Sequence, residues 1–599
     1  MGVVEEAAAR LARIKARYQA EAARRMRADG VAQYHRASTW LPQMVDDPFV
    51  APAPRDPISE TVEVALIGAG FAGLTIAVRL LQAGVKTLRM IDRSGGYGGT
   101  WYWNRYPGAM CDVESYIYLP LLEETGHVPT RKYTLGEENR QHCERIADQF
   151  DLRRRTSFQT SVTELRWDEA DQHWIVSTDR GDVIRARFAV SALGPLNSAK
   201  LPGIPGVESF KGRMFHTSRW DYAYTGGSEH GGLDRLADKR VGIVGTGATA
   251  IQVVPHLAAC AKELYVFQRT PSSVDWRGNR PTDVEWFKSL PPGWQRERMD
   301  NFNRATAGFE VAEDLIGDAW TQTVQGFSRK GREALAKELD MESNDPRLFE
   351  LADLKKMDSL RQRIDSLVED PATAGKLKPY YRWNCKRPGF HDDYLPAFNR
   401  PNVTLVDTMG KGIGRFTETA AVVEGKFYEL DCVILATGFE TWDTHYTERS
   451  GFEIHGRAGR TMTDKWAQGY GSLFGEFSHG FPNLLLVDNA QAGPSNNFQQ
   501  TVEAHAAQFC HLVRYCMGHG YRSAEVRAEA EAAWVDTIRS LAGKRARIYE
   551  GCTPSYYNQE GRPAADAALT GWYGGGPVAY EAALAEWRKQ EPTLTFDFS

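Results

Sequence analysis

Two stretches of the sequence, here called units, each contain a glycine-rich turn between a predicted strand and a predicted helix. These two turns are the residues best suited to do chemistry. In VEVALIGAGFAGLTIAVRLLQAGVKTLRMID (62–92), a predicted strand leads into Gly68, Gly70 and Gly73, and a later strand ends at Asp92. Such glycines allow a tight turn, close approach of a pyrophosphate and helix–strand packing, and the helix N-terminus favours phosphate charge. The terminal acid can accept hydrogen bonds from a ribose. A GxGxxG alone could be an ordinary strand-to-helix turn, but this context predicts a dinucleotide site, most simply for FAD.

The second unit, RVGIVGTGATAIQVVPHLAACAKELYVFQRT (240–270), repeats this pattern with Gly245 and Gly247. Its second predicted strand ends in Arg269 and Thr270, and the first glycine precedes the terminal charged residue by 24 positions in both units. A cation beside a hydroxyl suits a ribose 2′-phosphate, so this unit is predicted to bind NADP(H) rather than NAD(H). The alternative is that Arg269 is a solvated surface charge.

Two dinucleotide sites in one chain indicate hydride transfer between a nicotinamide and a flavin. A reduced flavin passes electrons to a disulfide, to a carrier protein or to O2. The eight cysteines include no CxxC or CxxxxC pair, which argues against a thiol redox centre and a zinc site and favours a reducing compartment. An oxidase, a monooxygenase or an electron-transfer protein is left.

Composition and net charge limit the classes of ligand that the protein is expected to bind. The 599 residues are 42% hydrophobic and 25% charged, which is typical of globular proteins with several domains. A net charge of -5 gives no reason to expect nucleic acid, and no run of about 18 apolar residues predicts a membrane span. We therefore expect a cytoplasmic protein with small-molecule ligands and no metal.

Strands and helices must position these residues. Their predicted order favours an α/β fold with two Rossmann-like dinucleotide-binding domains, for FAD and NADP, and a helical insertion. The run YELDCVILATGFE (428–440) reads as a strand that returns the chain to the FAD domain. The predicted divisions are an N-terminal helix and linker (1–60), a first FAD part (61–195), an NADP domain (196–385) with an insertion at about 281–378, a second FAD part (386–530) and a C-terminal segment (531–599).

Two further segments could complete an active site. GGTWYWNRYPGAMCD (98–112) follows the first unit and delivers Asp112 from a Pro-Gly turn after three aromatic residues, which suits the face of a flavin ring. The alternative is an aromatic core patch. In CKRPGF (385–390), Lys386 and Arg387 are adjacent at the end of the helical insertion. Read alone, such a pair could equally be a solvated surface pair.

The chain resembles the type I (class B) Baeyer–Villiger flavin monooxygenases between about residues 60 and 510. FKGRMFHTSRWD (210–221) matches the family fingerprint FxGxxxHxxxW. GGTWYWNRYPGAMCD and LATGF (435–439) are similar to two further signatures. One departure is Asp221, where the common pattern has proline, and it puts the local turn in question. The fingerprint residues are Phe210, Gly212, His216 and Trp220.

The resemblance implies an NADPH- and O2-dependent enzyme that inserts oxygen next to a ketone carbonyl through a C4a-peroxyflavin, giving an ester or lactone. Arg387 matches the essential arginine beside the flavin, and Asp112 matches the carboxylate that pairs with it. A fixed guanidinium would lower the pKa of the peroxide and stabilise the adduct. His216 lies in the segment that links the two domains, so it is expected to couple them rather than to transfer a proton.

The resemblance also implies the cofactor contacts. For FAD they are Gly68, Gly70, Phe71, Ala72, Gly73, Asp92, Arg93, Thr100, Trp101, Tyr102, Trp103, Asp112, Tyr118 and Val162. For NADP they are Gly245, Thr246, Gly247, Ala248, Thr249, Ala250, Gln252, Arg269, Thr270 and Lys386.

The sequence restricts the substrate and the choice among alternative functions less strongly than it restricts the cofactors. The N-terminal extension resembles that of members acting on large-ring or steroid-like ketones, and residues 491–498 and 194–200 are candidates to line the pocket. Two alternatives are a flavin monooxygenase that oxidises amines or sulfides, which would not need Arg387 and Asp112, and a non-catalytic FAD-binding redox sensor. The intact second unit argues against the sensor.

Overall fold

The computed structural model describes residues 3–36, 41, 44–441 and 446–599. Two sheets built around the glycine-rich turns organise this part of the chain. The first sheet runs in the spatial order Glu453–His455, Val162–Asp168, His173–Thr178, Val183–Ser191, Ser59–Ile67, Leu88–Ile91 and Thr156–Ser157, and Leu484–Leu486 pairs with Val183–Ser191. The second sheet, in which all pairings are parallel, runs in the order Val403–Asp407, Glu263–Gln268, Arg240–Val244, Cys432–Leu435 and Arg213–His216.

Each sheet has the predicted unit at its centre. The strand Ser59–Ile67 is buried at its C-terminal half, is followed by the helix Phe71–Gln82, and pairs in parallel with Leu88–Ile91. In the second sheet, Arg240–Val244 leads into the helix Ala248–Cys260 and pairs with Glu263–Gln268. Parallel strands covered by helices are buried on both faces, which explains why both units read as continuous apolar runs.

One prediction about connectivity is wrong. The strand Cys432–Leu435, within the run 428–440, pairs with Arg240–Val244 and Arg213–His216 and therefore belongs to the second sheet. The chain returns to the first sheet with Glu453–His455 and Leu484–Leu486. An apolar run such as CVIL fits any buried parallel strand, and only its hydrogen-bond partners decide which sheet it enters.

Helices cover the sheets and extend one side of the molecule. The chain between the strands Glu263–Gln268 and Val403–Asp407 of the second sheet forms the helices Val284–Lys288, Trp294–Thr306, Ala319–Phe327, Arg329–Leu339, Leu348–Leu367 and Pro371–Leu377. Longer helices near the chain ends are Val3–Arg25, Phe498–His519, Ala528–Tyr549 and Pro577–Trp587. Shorter helices are Thr100–Trp103, Ser115–Tyr118, Leu122–Thr125, Gly136–Gln149, Tyr222–Thr225, Tyr446–Ser450, Met462–Ala467 and Ala567–Thr570.

The remaining strands are short and tie distant segments together. They form the pairs Tyr34–Arg36 with Lys200–Pro202, Val274–Asp275 with Gly389–Phe390, and Ala524–Val526 with Phe596–Phe598, and the three-stranded meander of Arg415–Phe416, Ala420–Val423 and Lys426–Glu429. None of the helices formed by the described residues is long and apolar enough to cross a membrane.

The first glycine turn depends on close backbone packing. Gly68 has φ +111°, a conformation that side chains rarely adopt, and a Cβ at Gly73 would lie 2.0 Å from the Gly68 carbonyl oxygen. The helix Phe71–Gln82 can therefore approach its strand only because position 73 has no side chain.

We expect Gly73→Ala to lower the thermal midpoint of the protein by about 5 °C or more, because the added methyl must push the helix away from the turn. Gly518→Ala is the matched control, since its Cβ would meet no atom within 4 Å on an exposed helix surface. That control should hold or raise the midpoint. Equal midpoints for both variants, measured by circular dichroism, would contradict the packing argument.

Candidate active site

One cavity lies in front of both glycine-rich turns. Its volume is about 950 Å³. Its walls include Gly68 and Gly245 from the two turns, Arg387 from the CKRPGF segment, and Tyr34 and Glu560 from near the two chain ends. Residues predicted for two cofactors and for catalysis therefore share one cavity.

The first turn fits a dinucleotide pyrophosphate. A Cβ on Gly68 would lie 2.4 Å from the Ala192 carbonyl oxygen, and the helix Phe71–Gln82 begins directly at Gly70. Asp92 lines the cavity, and its Oδ2 accepts a hydrogen bond of 2.6 Å from the amide of Ala69 inside the turn. Asp92 therefore holds the turn in place, and its oxygens have further lone pairs for a ribose.

The aromatic segment 98–103 lies directly against this turn. A Cβ on Gly99 would be 2.9 Å from the Gly70 Cα, so the two backbones touch. Trp101 lines the cavity and its Nε1 donates to the Tyr118 hydroxyl at 3.0 Å. Tyr102, also predicted to contact FAD, is buried and does not line the cavity, and its hydroxyl donates to Asp47 Oδ2 at 2.5 Å. Neighbours in a helical turn point in different directions, so the Tyr102 side chain packs behind the segment.

The second turn fits a dinucleotide in the same way. Gly245 has φ +111°, and a Cβ on Gly247 would meet no atom within 4 Å, which leaves open space at the start of the helix Ala248–Cys260. Thr246 Oγ1 donates to the Thr270 carbonyl oxygen at 2.8 Å. Thr270 Oγ1 is buried and has no hydrogen-bond partner within the described part of the chain. A hydroxyl left in this way is suited to a phosphate oxygen.

Most of the predicted cofactor contacts reach the cavity. Gly73 and Ala250 do not line it, as expected for positions that serve helix–strand packing. The predicted residues that line it are Gly68, Gly70, Phe71, Ala72, Asp92, Arg93, Thr100, Trp101, Trp103, Asp112, Tyr118, Val162, Gly245, Thr246, Gly247, Ala248, Thr249, Gln252, Arg269, Thr270 and Lys386.

Arg269 and Lys386 meet at one end of this cavity. Arg269 Nη1 donates to Gln33 Oε1 at 2.7 Å and its Nη2 donates to Glu560 Oε2 at 2.8 Å. Lys386 Nζ donates to the Pro554 carbonyl oxygen at 2.9 Å. Burial and, secondarily, the Arg269 charge lower the pKa of Lys386 from its ordinary value to about 8. No motif in the sequence indicates that segments near both chain ends supply hydrogen-bond partners to this cluster.

Arg387 and Asp112 form a two-point ion pair in the cavity wall. Nε and Nη2 of Arg387 donate to the two carboxylate oxygens at 3.0 and 2.6 Å. The guanidinium carbon lies 5.1 Å from the centre of a Trp320 ring, and Trp320 Nε1 donates to the Asp112 carbonyl oxygen at 3.1 Å. Burial would lower the pKa of Arg387, but the Asp112 charge outweighs it and raises that pKa well above its ordinary value. The positive charge is therefore permanent.

A second arginine near this pair was not foreseen from the sequence. Arg277 lines the cavity, is 7% exposed, and its Nε has no partner among the described residues. Burial lowers its pKa, and Asp112 partly offsets that effect. Its position in the turn WRGN, after the second unit, gave no motif by which it could have been found.

His216 belongs to the junction between the sheets and not to the cavity. It is fully buried, its Nδ1 accepts from the Ser218 amide at 3.2 Å, and its Nε2 donates to the Gly438 carbonyl oxygen at 3.2 Å. The same oxygen accepts from the Lys200 amide at 2.9 Å, at the end of the crossing segment 194–200. Burial lowers the pKa of His216 to about 3, so it stays neutral at ordinary pH. This geometry suits the predicted coupling role.

The other fingerprint residues are also structural in their contacts. Trp220 is buried and packs on Phe215 with ring centres 5.3 Å apart. Phe210 packs on Phe416 at 5.7 Å, and a Cβ on Gly212 would lie 2.7 Å from the carbonyl oxygen of Asp431. At the position where the family pattern has proline, Asp221 accepts from the Tyr224 amide at 3.0 Å and caps the helix Tyr222–Thr225. The turn is closed by a hydrogen bond instead.

The two candidate pocket segments contribute unevenly. Residues 194–197 and Lys200 line the cavity, as do Pro494, Ser495, Asn496 and Phe498. Gln491 does not, because it is buried against the Ser472 amide, which donates to its Oε1 at 3.0 Å. Within the described ranges, no group of three or more His, Cys, Asp or Glu side chains could hold a metal ion.

A disulfide beside Lys386 was not foreseen either. Cys385 and Cys552, separated by 167 positions, are bonded, and Ser555 Oγ donates to the Cys385 carbonyl oxygen at 3.1 Å. The bond fastens the C-terminal loop 552–562 to the segment that carries Lys386 and Arg387. No short Cys spacing announced this pairing, because it depends on tertiary contact.

We expect denatured, unreduced protein to contain six titratable thiols and reduced protein to contain eight, since the free cysteines are Cys111, Cys143, Cys260, Cys432, Cys510 and Cys516. Cys552→Ser should leave one additional reactive thiol, at Cys385, whereas the control Cys260→Ser should remove one. Thiol titration with peptide mass mapping makes the measurement. Eight thiols in protein purified without reductant would show that the bond does not form.

The chain is similar to characterised monooxygenases along almost its full length. Residues 62–278 match the family model described as pyridine nucleotide-disulphide oxidoreductase. Neopentalenolactone D synthase of Streptomyces avermitilis is 47% identical over 584 residues, covering 96% of this chain and 97% of that protein. Baeyer-Villiger monooxygenase ATR8 of Stachybotrys chlorohalonatus is 48% identical over 580 residues, covering 96% and 92%.

Solved structures give the same result for the fold. Polycyclic ketone monooxygenase from the thermophilic fungus Thermothelomyces thermophila superimposes with a TM-score of 0.90 at 39% identity, covering 98% of this chain and 99% of that one. OTEMO in complex with FAD and NADP matches with a TM-score of 0.72 at 28% identity, covering 91% and 100%.

Proposed function

Because the chain belongs to the Baeyer–Villiger monooxygenases, we propose that Arg387 and Asp112 are its catalytic pair and that its substrate is a bulky cyclic ketone. The enzyme is an FAD- and NADP(H)-dependent oxidoreductase that converts cyclic ketones to lactones. One ketone, O2, NADPH and a proton give one lactone or ester, water and NADP⁺. Amine or sulfide oxidation and a non-catalytic sensor are thereby set aside.

The two glycine turns are proposed to hold the two cofactors. Bound FAD and NADPH supply the hydride and the activated oxygen. Gly68 and Gly70, with the helix that follows them, would hold the FAD pyrophosphate, and Gly245 and Gly247 would hold that of NADPH. Arg269, with Thr270 and Lys386, would hold the 2′-phosphate, which the unpartnered Thr270 hydroxyl supports.

The observation that carries the catalytic assignment is the two-point ion pair in the cavity shared by both turns. Asp112 engages Nε and Nη2 of Arg387, which fixes the plane of the guanidinium and leaves Nη1 for a reacting oxygen. A permanent positive charge there stabilises negative charge that develops on oxygen when a ketone carbonyl is attacked. A buried lysine would serve less well, because it can lose its proton.

A bulky substrate is supported by the neighbours and by the lining. One neighbour of high similarity is named for polycyclic ketones, and others are named for cyclohexanone and for steroids. Phe390, Pro494 and Phe498 offer apolar contact beside the ion pair in the cavity wall. The cavity must hold parts of both cofactors, so its volume alone does not set the substrate size.

We propose the following division of the chain, revised for the strand at 432–435. The FAD unit comprises 61–195 together with the later chain from about 446 to 530, and the NADP unit comprises 196–441 including the helices between 284 and 377. Gln33 and Tyr34 from the segment before the FAD unit and Glu560 from the segment after it line the cavity at its cationic end. A cytoplasmic location stays a prediction from the sequence.

Arg387→Ala should lower the rate of lactone formation at least about 100-fold, while the rate of anaerobic reduction of FAD by NADPH should change by less than about threefold. The reason is that the charge acts on oxygen chemistry and not on hydride transfer. Stopped-flow absorbance measures reduction, and gas chromatography with mass detection measures product from a polycyclic ketone. Asp112→Asn should show a smaller loss, since the guanidinium keeps its charge but loses its anchor.

The control is Arg415→Ala, which removes an exposed arginine outside the cavity and should leave both rates unchanged. An Arg387→Ala enzyme that forms lactone at near wild-type rate would falsify the assignment of the pair. Loss of reduction as well as oxygenation would assign Arg387 to nicotinamide binding instead.

Binding of NADP⁺ should weaken as pH rises from 7 to 9, by up to about tenfold, because Lys386 with a pKa of about 8 loses its positive charge. The sign follows from the direction of the shift: the amine is charged below that pKa and neutral above it. The 2′-phosphate, with a pKa of about 6, is already a dianion over this range and does not contribute.

Titration of the FAD-loaded enzyme by calorimetry at each pH provides the test. Lys386→Arg keeps its charge at every pH used and should bind with an almost constant dissociation constant. A wild-type enzyme with no weakening between pH 7 and 9 would remove Lys386 from the 2′-phosphate site.

A further inference from the structure

A carboxylate of the protein lies inside the cation cluster proposed for the 2′-phosphate. Glu560 is 5% exposed in its side chain and lines the cavity together with Arg269. Its Oε2 accepts from Arg269 Nη2 at 2.8 Å, and its Oε1 accepts from the Tyr34 hydroxyl at 3.3 Å. Nη1 of Arg269 is taken by Gln33 at 2.7 Å. Both terminal nitrogens of this guanidinium are therefore engaged by the protein itself.

The cations around Glu560 keep it ionised. Burial alone would raise its pKa, but the charges of Arg269, Lys386 and Lys200 outweigh burial and lower that pKa below its ordinary value. Each of these three cations also lines the cavity. A carboxylate in such a cluster neutralises charge that would otherwise be available to an anionic ligand.

The loop that delivers Glu560 is held on both sides. Cys552 is bonded to Cys385, and the Pro554 carbonyl oxygen accepts from Lys386. Gln559 and Glu560 have φ values of 51° and 56°, a left-handed conformation that is unfavourable for residues other than glycine. Such a conformation persists only where surrounding contacts hold it, and here those contacts include the ion pair with Arg269 and the hydrogen bond that the Glu560 amide donates to the Ser555 carbonyl oxygen at 2.8 Å.

We propose that Glu560 is an internal anion that occupies the 2′-phosphate position on Arg269 and must be displaced when NADP(H) binds. The proposal rests on the role of Arg269 and Lys386 given under the proposed function. A phosphate that takes the terminal nitrogens of Arg269 replaces the carboxylate, because two anions facing one guanidinium repel each other. Loss of the ion pair also removes one of the contacts that hold the loop 552–562, which places Tyr556 and Tyr557 in the cavity wall.

Glu560 thereby sets the preference between the two nicotinamide cofactors. A ribose 2′-hydroxyl is a neutral donor and can hydrogen-bond to the carboxylate without displacing it. A 2′-phosphate must compete with the carboxylate for Arg269. Removal of the Glu560 charge should therefore strengthen binding of 2′-phosphorylated nucleotides and should not strengthen binding of unphosphorylated ones.

The test uses adenosine 2′,5′-bisphosphate and 5′-ADP as probes, titrated calorimetrically into the FAD-loaded full-length enzyme. Glu560→Gln is nearly isosteric and should bind the 2′,5′-bisphosphate roughly tenfold more tightly than wild type, since a like charge is removed. Its affinity for 5′-ADP should stay within about twofold or fall. Glu560→Ala should shift the 2′,5′-bisphosphate in the same direction.

Glu418→Gln is the matched control, because Glu418 is an exposed glutamate paired with Lys211 at 2.6 Å and lies outside the cavity. It should change neither affinity. Thermal midpoint and flavin content establish that each variant is folded before titration.

Weaker binding of the bisphosphate by Glu560→Gln would overturn the proposal and make Glu560 a residue that orients Arg269. Unchanged binding would overturn it as well. Arg269→Ala separates these failures from a wrong phosphate site. If wild type shows no preference for the bisphosphate over 5′-ADP, or Arg269→Ala keeps that preference, the proposed phosphate site fails. If Arg269→Ala loses the preference and Glu560→Gln matches wild type, only the inference about Glu560 fails.

Discussion

The ion pair between Arg387 and Asp112 joins two segments 275 positions apart, and the active site exists only when that contact forms. Asp112 ends the aromatic loop that lies on the first glycine turn, and Arg387 follows the helices that leave the second unit. Removal of such charges from water is expensive, and a two-point pair with further hydrogen bonds is the arrangement that compensates for it. The contact that brings these two segments together therefore also fixes the positive charge proposed for catalysis.

The junction between the two sheets is also held by hydrogen bonds, and these do not depend on charged groups. The Gly438 carbonyl oxygen receives both the neutral His216 ring and the Lys200 amide, so the last strand of the second sheet, the fingerprint segment and the crossing segment share one acceptor. A buried histidine with a pKa of about 3 contributes geometry and no proton. The fingerprint residues thus lie where segments of the fold are held together, and they lie apart from the residues proposed for catalysis.

The chain ends complete the nucleotide end of the cavity. Gln33 and Tyr34 from the N-terminal extension and Glu560 from the C-terminal loop surround Arg269, and a disulfide fastens that loop beside Lys386. Segments outside the two dinucleotide units are therefore expected to affect how tightly the proposed NADP(H) site binds its ligand. This explains why an extension that adds no motif of its own is still packed against the site.

The two glycine turns and the charges that end their strands can be read from the sequence, and the family resemblance adds the pairing of Arg387 with Asp112. These features are local, or carried by a resemblance whose motifs are local, because a turn that must approach a phosphate restricts residue type at fixed spacing. Asp92, Arg269 and Thr270 could be placed in advance for that reason. The family resemblance implied a linking position for His216 and an active-site position for Arg387; the structure places His216 against Gly438 and Arg387 in the cavity wall, and the roles of both stay proposals.

Tertiary contacts alone settle the sheet to which Cys432–Leu435 belongs, the turning of Tyr102 away from the cavity, the burial of Arg277, and the meeting of Cys385 with Cys552. Each depends on a partner more than 50 positions away, and an apolar strand, a tyrosine or a cysteine is compatible with many partners. Glu560 is the clearest case. Its carboxylate reads as an ordinary surface charge in the sequence, and only the fold buries it in the cavity wall among three cations from distant positions, Arg269, Lys386 and Lys200.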